Sequence, residues 1–131
     1  MSLEVVAAII FFENKILVTQ RKYHKNTAFS YKFEFPGGKV ENNEDKITAL
    51  RRELLEELNL ELTNFKHFAS YNYSYDTDKI KLHFFLSNVN KLKLTLKVHK
   101  AYKLVTIKQL SKLDWLAADY EVIKRLESKY L

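Results

Sequence analysis

Residues Gly38–Leu60 read GKVENNEDKITALRRELLEELNL, and their spacing organises the reading of the rest of the chain. Ile47, Leu50, Leu54 and Leu58 recur at helical intervals, which predicts an amphipathic helix over Lys46–Leu58. Asp45 stands where an N-cap is wanted. Asn59 stands where the helix must end, and asparagine is second to glycine in the left-handed conformation that ends helices. Glu53, Glu56 and Glu57 fall at i, i+3 and i+4, so they share one face beside the apolar stripe. Like charges at that spacing repel by roughly a few tenths of a kcal/mol per pair. A hard divalent cation bound by carboxylate oxygens would offset the repulsion. An acidic face that is merely solvated, and balanced by Lys46, Arg51 and Arg52, is the plainer reading of three glutamates taken alone.

Immediately upstream stand Pro36, Gly37 and Gly38, which are the only proline and the only glycines in the chain. Glycine permits positive φ and close approach of a ligand to the main chain, while Pro-Gly alone also suits an ordinary tight turn. Further out, Leu3–Phe12 is rich in β-branched and aromatic residues and predicts a buried strand. A turn at Glu13-Asn14, a strand over Lys15–Arg21, a polar and aromatic loop over Lys22–Tyr31 and a short extended piece over Lys32–Phe35 follow. Downstream, strands are expected at about Thr63–Tyr75, Lys79–Asn88 and Tyr102–Ile107, with a turn at Asp76–Asp78. Val122, Ile123 and Leu126 predict a last helix over Asp119–Tyr130, with Asp119 in a capping position.

The chain has 131 residues, 47% hydrophobic and 29% charged, which suits one globular domain spanning residues 1–131. It has no cysteine, which excludes disulfides and thiolate metal sites. The apolar run Val5–Phe12 is far shorter than the roughly 20 residues of a membrane helix, and the N-terminus lacks the pattern of a signal peptide. These features predict a cytoplasmic protein without a membrane partner. The net charge of +6 is unevenly spread: residues 38–61 hold seven acidic and four basic side chains, leaving −3 there and +9 elsewhere. An acidic island in a basic protein suits a cation site that serves an anionic substrate.

Read in full, the segment is Gly38, five residues, Glu44, seven residues, Arg52-Glu53-Leu54, one residue, Glu56-Glu57, one residue, Asn59-Leu60. It resembles the box of the Nudix hydrolases, G-x5-E-x7-R-E-U-x-E-E-x-G-U, where U is a bulky aliphatic residue. Only the final glycine departs, being Asn59 here. A chance match of this length is expected in well under about one in a million windows.

The resemblance implies an α/β fold, the Nudix α/β/α sandwich around a central mixed β-sheet. It also implies a site: Glu53, Glu56 and Glu57, joined by the Gly37 carbonyl, as ligands of magnesium, or of manganese in its place. Arg52 would orient a box glutamate, Glu44 would support the loop–helix arrangement, and Glu53 or Glu56 would serve as general base. Lys32–Lys39, KFEFPGGK, resembles the segment before the box in the MutT and CTP pyrophosphohydrolase branch. That branch converts nucleoside triphosphates to monophosphate and pyrophosphate, 8-oxo-dGTP and CTP-type nucleotides among them.

In this branch Arg21 falls where an arginine contacts the α-phosphate side of the nucleotide, and Asp119 falls at the base-reading position. Arg21 and Lys39 could hold phosphates electrostatically, and Gly38 is a further substrate-binding candidate. An ionised Asp119 would accept hydrogen bonds from a guanine or a cytosine. A role as helix cap is equally compatible with the local sequence. Phe35, Tyr73 and Tyr75 are candidates to stack on a base. Many relatives carry a glutamate before a histidine after the fourth strand, an extra metal ligand or base. Here the segment is Lys97-Val98-His99, with valine in that place; His99 could substitute for the glutamate, and a lone surface histidine is the plainer reading.

The expected partner is a nucleotide, with no stable nucleic-acid partner, acting on a monomer or homodimer. Two other readings remain: hydrolysis of another nucleoside diphosphate derivative such as a dinucleotide, ADP-ribose or nucleotide sugar, and a non-catalytic module binding RNA or nucleotide.

Overall fold

The computed structural model describes residues 2–75 and 78–131. The first strand, β1 (Ser2–Phe12), is the hub of the fold. It is joined to β2 (Lys15–Gln20) by Glu13 and Asn14, both at positive φ, 50° and 66°. Two left-handed residues in a row are what a two-residue hairpin turn needs to match the twist of its strands. Then come β3 (Phe33–Glu34), β4 (Gly37–Lys39) and α1 (Lys46–Leu58). After α1 the chain forms β5 (Lys66–Tyr75), β6 (Asp78–Asn88) and β7 (Ala101–Val105). A short α2 (Ile107–Leu110), a 3-10 turn at Ala117–Asp119 and α3 (Tyr120–Tyr130) complete it.

The sheet runs β3-β2-β1-β6-β5, with β4 also on β1 and β7 also on β2. β1 and β6 are parallel, pairing Val6 with His83, and the other ladders are antiparallel, so the sheet is mixed. Each face carries its own core. Val6, Ala8 and Ile10 pack toward Leu50, Leu54 and Leu58 of α1. Ala7 and Ile9 pack toward Trp115, Val122, Ile123 and Leu126 on the side of α3. A strand covered on both faces needs apolar residues at every position, which is why Val5–Phe12 shows no alternation. Burying each aliphatic side chain of the α1 stripe contributes about 1.5–3 kcal/mol, and that clamps the helix to the sheet.

The helix ends as its sequence predicts. Thr48 N–H donates to Asp45 Oδ1 at 2.8 Å, and Asn59 sits at φ 52°, ψ 37°. Other expectations shift. The strand placed over Thr63–Tyr75 starts only at Lys66, and the one over Tyr102–Ile107 stops at Val105 because Ile107 opens α2 behind a Thr106–Gln109 capping box. Asp76 and Thr77 of the expected turn lie outside the described residues, and Asp78 already belongs to β6.

The glycines also differ from expectation: neither has positive φ. Gly37 is glycine because β4 runs against β1, where a Cβ would overlap the Val6 carbonyl. A Cβ at Gly38 would fall inside the Glu53 carboxylate. Close approach, not a turn conformation, is their reason.

Candidate active site

The structure brings the box glutamates and the C-terminal Asp119 to one cleft of about 550 Å³, a size that suits a small-molecule ligand. One end is formed by Gly37, Gly38 and Lys39 of β4 with Glu53 and Glu57 of α1. Asp119, Phe35, Tyr75 and Ala118 form the other, and Arg21 and Glu34 stand on the wall.

Arg52 organises the box end. Its Nε and Nη2 donate to the two oxygens of Glu44 at 2.7 and 3.0 Å, a bidentate pair. Nη1 donates to Glu53 Oε1 at 3.0 Å and to Glu56 Oε2 at 3.3 Å, and Nη2 reaches the Lys39 carbonyl at 3.0 Å. One guanidinium thus ties loop, strand and helix. The bond from Arg52 holds the Glu44 carboxyl well below the usual range, at about 2, assisted by the Glu41 backbone. Reciprocally, that bond raises the Arg52 pKa against the effect of burial.

The three helix glutamates are not equivalent. Glu53 is largely buried, its side chain 14% exposed, and desolvation raises its pKa against the pull of Arg52. Glu57 is more desolvated still and is pushed up to about 7, with His99 acting against the rise. Its Oε1 is buried without a hydrogen-bond partner. Glu56, with its side chain 58% exposed, stands outside the cleft lining and leans on Arg52.

Among the described residues no three acidic or imidazole side chains close into a ready-made metal cage. The donor set nevertheless fits a hard divalent cation. A desolvated carboxylate with an unpaired oxygen lies next to a second buried carboxylate, against a backbone whose glycine admits that carboxylate's close approach.

At the other end, Asp119 is only 5% exposed and closes the 3-10 turn ahead of α3. Its side chain makes no capping bond, so the cap role is not the one the structure builds. Burial pushes its pKa well above the usual value, the neighbouring Glu34 charge adds to the rise, and the Phe35 backbone opposes it. Burial thus favours the protonated form of Asp119 over the ionised aspartate considered from the sequence. Phe35 reaches the cleft but is 3% exposed and lies 4.7 Å from the Trp115 ring, so its face belongs to the core. Tyr75 lines the cleft and packs beside Phe29, 5.7 Å between ring centres. Burial pushes the Tyr75 hydroxyl up to about 12, so it stays protonated and able to donate.

Glu34 went unassigned in the sequence reading, and His99 entered it only as a candidate substitute for a missing glutamate. Glu34 sits between buried Phe33 and Phe35 on a two-residue strand, and that alternation turns its carboxylate out of the core. It accepts from Arg21 Nη1 at 3.2 Å and bonds His99 Nε2 at 2.8 Å. His99 is not the surface histidine expected: its side chain is 2% exposed, while Val98 is half-exposed. The reason is the segment Lys91–Lys97, which alternates lysine and leucine yet forms no ladder. Its leucines pack on the α1 core, and Thr95 and Lys97 N–H groups donate to the terminal α1 carbonyls of Leu58 and Glu57 at 2.9 and 3.0 Å. The segment caps the helix and so delivers His99 to Glu34, behind the cleft wall. No short motif encodes such a delivery.

Comparison with known proteins agrees with this geometry. The family model of the NUDIX domain matches residues 1–126. An 8-oxo-dGTP diphosphatase from Buchnera aphidicola subsp. Acyrthosiphon pisum is 36% identical over 115 residues, covering 88% of this chain and 89% of the relative. A CTP pyrophosphohydrolase of Escherichia coli is 44% identical over 81 residues, 62% of this chain and 58% of that protein. Among solved structures, the E. coli ORF135 protein superposes with a TM-score of 0.86 at 31% identity, covering 97% of this chain and 89% of the other. No described helix is long and apolar enough to cross a membrane.

Proposed function

The chain belongs to the Nudix hydrolase family, and on that premise we propose that it is a magnesium-dependent nucleoside triphosphate pyrophosphohydrolase, yielding monophosphate and pyrophosphate. The observation that carries the reading is one cleft with box carboxylates at one end and a buried acid able to read a base at the other. Relatives named for 8-oxo-dGTP and for CTP support the same reaction here. Residues 1–131 act as a single domain in this reading.

Nudix hydrolases work with a divalent cation, and here Glu53 and Glu57 with the Gly37 carbonyl would hold it, magnesium first and manganese in its place. When bound, the cation supplies positive charge beside the phosphate oxygens and makes water more acidic at neutral pH. Glu53 is the better general base of the two candidates, because it lines the cleft whereas Glu56 is exposed. Glu53 takes the proton of the attacking water while Arg52 keeps its carboxylate aimed. Arg21 and Lys39 hold phosphate oxygens electrostatically.

The protonated form of Asp119, which burial favours, offers one donor and one acceptor side by side. Cytosine matches that pair with N3 and its amino group, and 8-oxoguanine does so with O6 and its N7–H. Asparagine presents the same pair, so Asp119→Asn keeps the preferred base within about 10-fold, while Asp119→Ala loses discrimination by roughly 10–100-fold. The decisive assay is pyrophosphate and orthophosphate release across 8-oxo-dGTP, dGTP, CTP, dCTP, ADP-ribose and a dinucleoside polyphosphate, with and without magnesium. Magnesium-dependent pyrophosphate release from a triphosphate is expected. Cleavage of the other compounds alone would move the chain to a different Nudix substrate class, and silence throughout would favour a binding module.

A further inference from the structure

Only two buried side-chain polar atoms among the described residues lack a hydrogen-bond partner, Glu57 Oε1 and His99 Nδ1. Both belong to the same corner of the molecule. The strap that carries His99 donates its Lys97 N–H to the carbonyl of Glu57 itself at 3.0 Å. On the far side of His99, Lys100 N–H donates to the Gln20 carbonyl at 2.9 Å, which fixes the strap at both ends. An unpaired buried polar atom costs about 1–3 kcal/mol, and His99 is near enough to Glu57 to act on its charge, so one group between them would satisfy both atoms.

The other nitrogen of His99 is already committed. Glu34 Oε2 accepts from Nε2 at 2.8 Å, and Arg21 holds the second oxygen of Glu34 at 3.2 Å. A carboxylate on Nε2 places the ring hydrogen there and leaves a lone pair on Nδ1. An imidazole with one N–H on a carboxylate and the other nitrogen bare is the arrangement of metal-ligating histidines, the carboxylate fixing tautomer and ring orientation.

We propose that His99 is a nitrogen ligand, sharing a divalent cation with Glu57 through Nδ1, with Glu34 as the carboxylate that orients it. Two protein donors suffice where substrate phosphates and water complete the shell. A nitrogen in the set shifts the preference from magnesium toward manganese and cobalt. The inference rests on the reading of this cleft as a cation site, and it names a donor that the box glutamates do not include.

The test uses the full chain stripped of metal and titrated with manganese. Pulsed electron paramagnetic resonance on the manganese complex is expected to show coupling to an imidazole nitrogen. Incorporating isotopically labelled histidine into the unmutated protein changes that signal, so the outcome does not depend on any variant folding. His99→Gln is expected to lose the coupling and to bind manganese on the order of 10–100-fold more weakly, and Glu34→Gln to keep the coupling with a smaller loss. Absence of nitrogen coupling in the unmutated protein, with manganese affinity unchanged in His99→Gln, overturns the proposal. So does a His99→Gln protein that loses thermal stability alone, since that marks a packing role. Nitrogen coupling in a protein that hydrolyses none of the nucleotides would sink the proposed reaction and leave this ligand standing.

Discussion

Glu44 and Glu57 belong to one loop–helix unit, yet their surroundings push them in opposite directions. Glu44 is held at about 2 by the bidentate Arg52, and Glu57 is pushed up to about 7 by loss of water. The first is a framework charge, with each oxygen taken and its proton lost under all ordinary conditions. The second has an oxygen with nothing to bind. The difference separates residues that shape the site from those that act in it more sharply than the shared motif does. It also explains why the helix tolerates stacked carboxylates: Arg52 neutralises the outer ones, and burial weakens the charge of the inner one.

Four changes would break or sharpen that contrast. Glu53→Gln is expected to lower kcat on the order of 10²–10⁴-fold while thermal melting stays near that of the unmutated chain. An active, folded variant would remove Glu53 from the reacting centre. Next in size is a pH effect without metal. Glu57 has its folded pKa, about 7, above its ordinary value of 4.5, so its share of stability is complete below about 4.5 and is lost as pH rises through about 7.

That share is on the order of 3 kcal/mol, and buried Asp119 adds in the same sense. Urea midpoints of the metal-free chain should therefore fall between pH 5 and 8, flatten in Glu57→Gln, and recover with magnesium. A flat profile in the unmutated chain would mean Glu57 is solvated. Third, Arg52→Lys keeps the charge but loses the fork, and should cost about 2 kcal/mol in urea unfolding and roughly 10-fold in rate. Equal stability would make Arg52 a surface charge. Smallest is Asn59→Gly, expected to stabilise by about 0.5 kcal/mol, because glycine holds the left-handed conformation at no steric cost. A destabilised variant would show that the asparagine side chain has a further partner.

The box end of the cleft was legible in the sequence because its residues are contiguous and obey local rules: a cap at Asp45, a stripe through Leu50, Leu54 and Leu58, and an asparagine stop. The other half is assembled from β2, β3, the strap before β7 and the turn before α3. Arg21 and Asp119 were placed there only by resemblance. Glu34 looked like an ordinary strand residue, and His99 like a surface one, because the strap that buries it reads as alternation without a ladder. The raised pKa of Asp119 was out of reach, since it depends on burial by residues far along the chain.

The way Gly37–Lys39 hang from β1 has a consequence for how the molecule is made. β1 leaves the ribosome well before its parallel partner β6, which follows only after the whole box and pairs His83 with Val6. Contacts so far apart in the chain close slowly. The Gly37–Lys39 segment therefore takes its place late, on a strand that must wait for β6. Until then the carboxylates are spread along a nascent chain with no cleft to hold them, and hydrolysis begins only when the sheet is nearly complete.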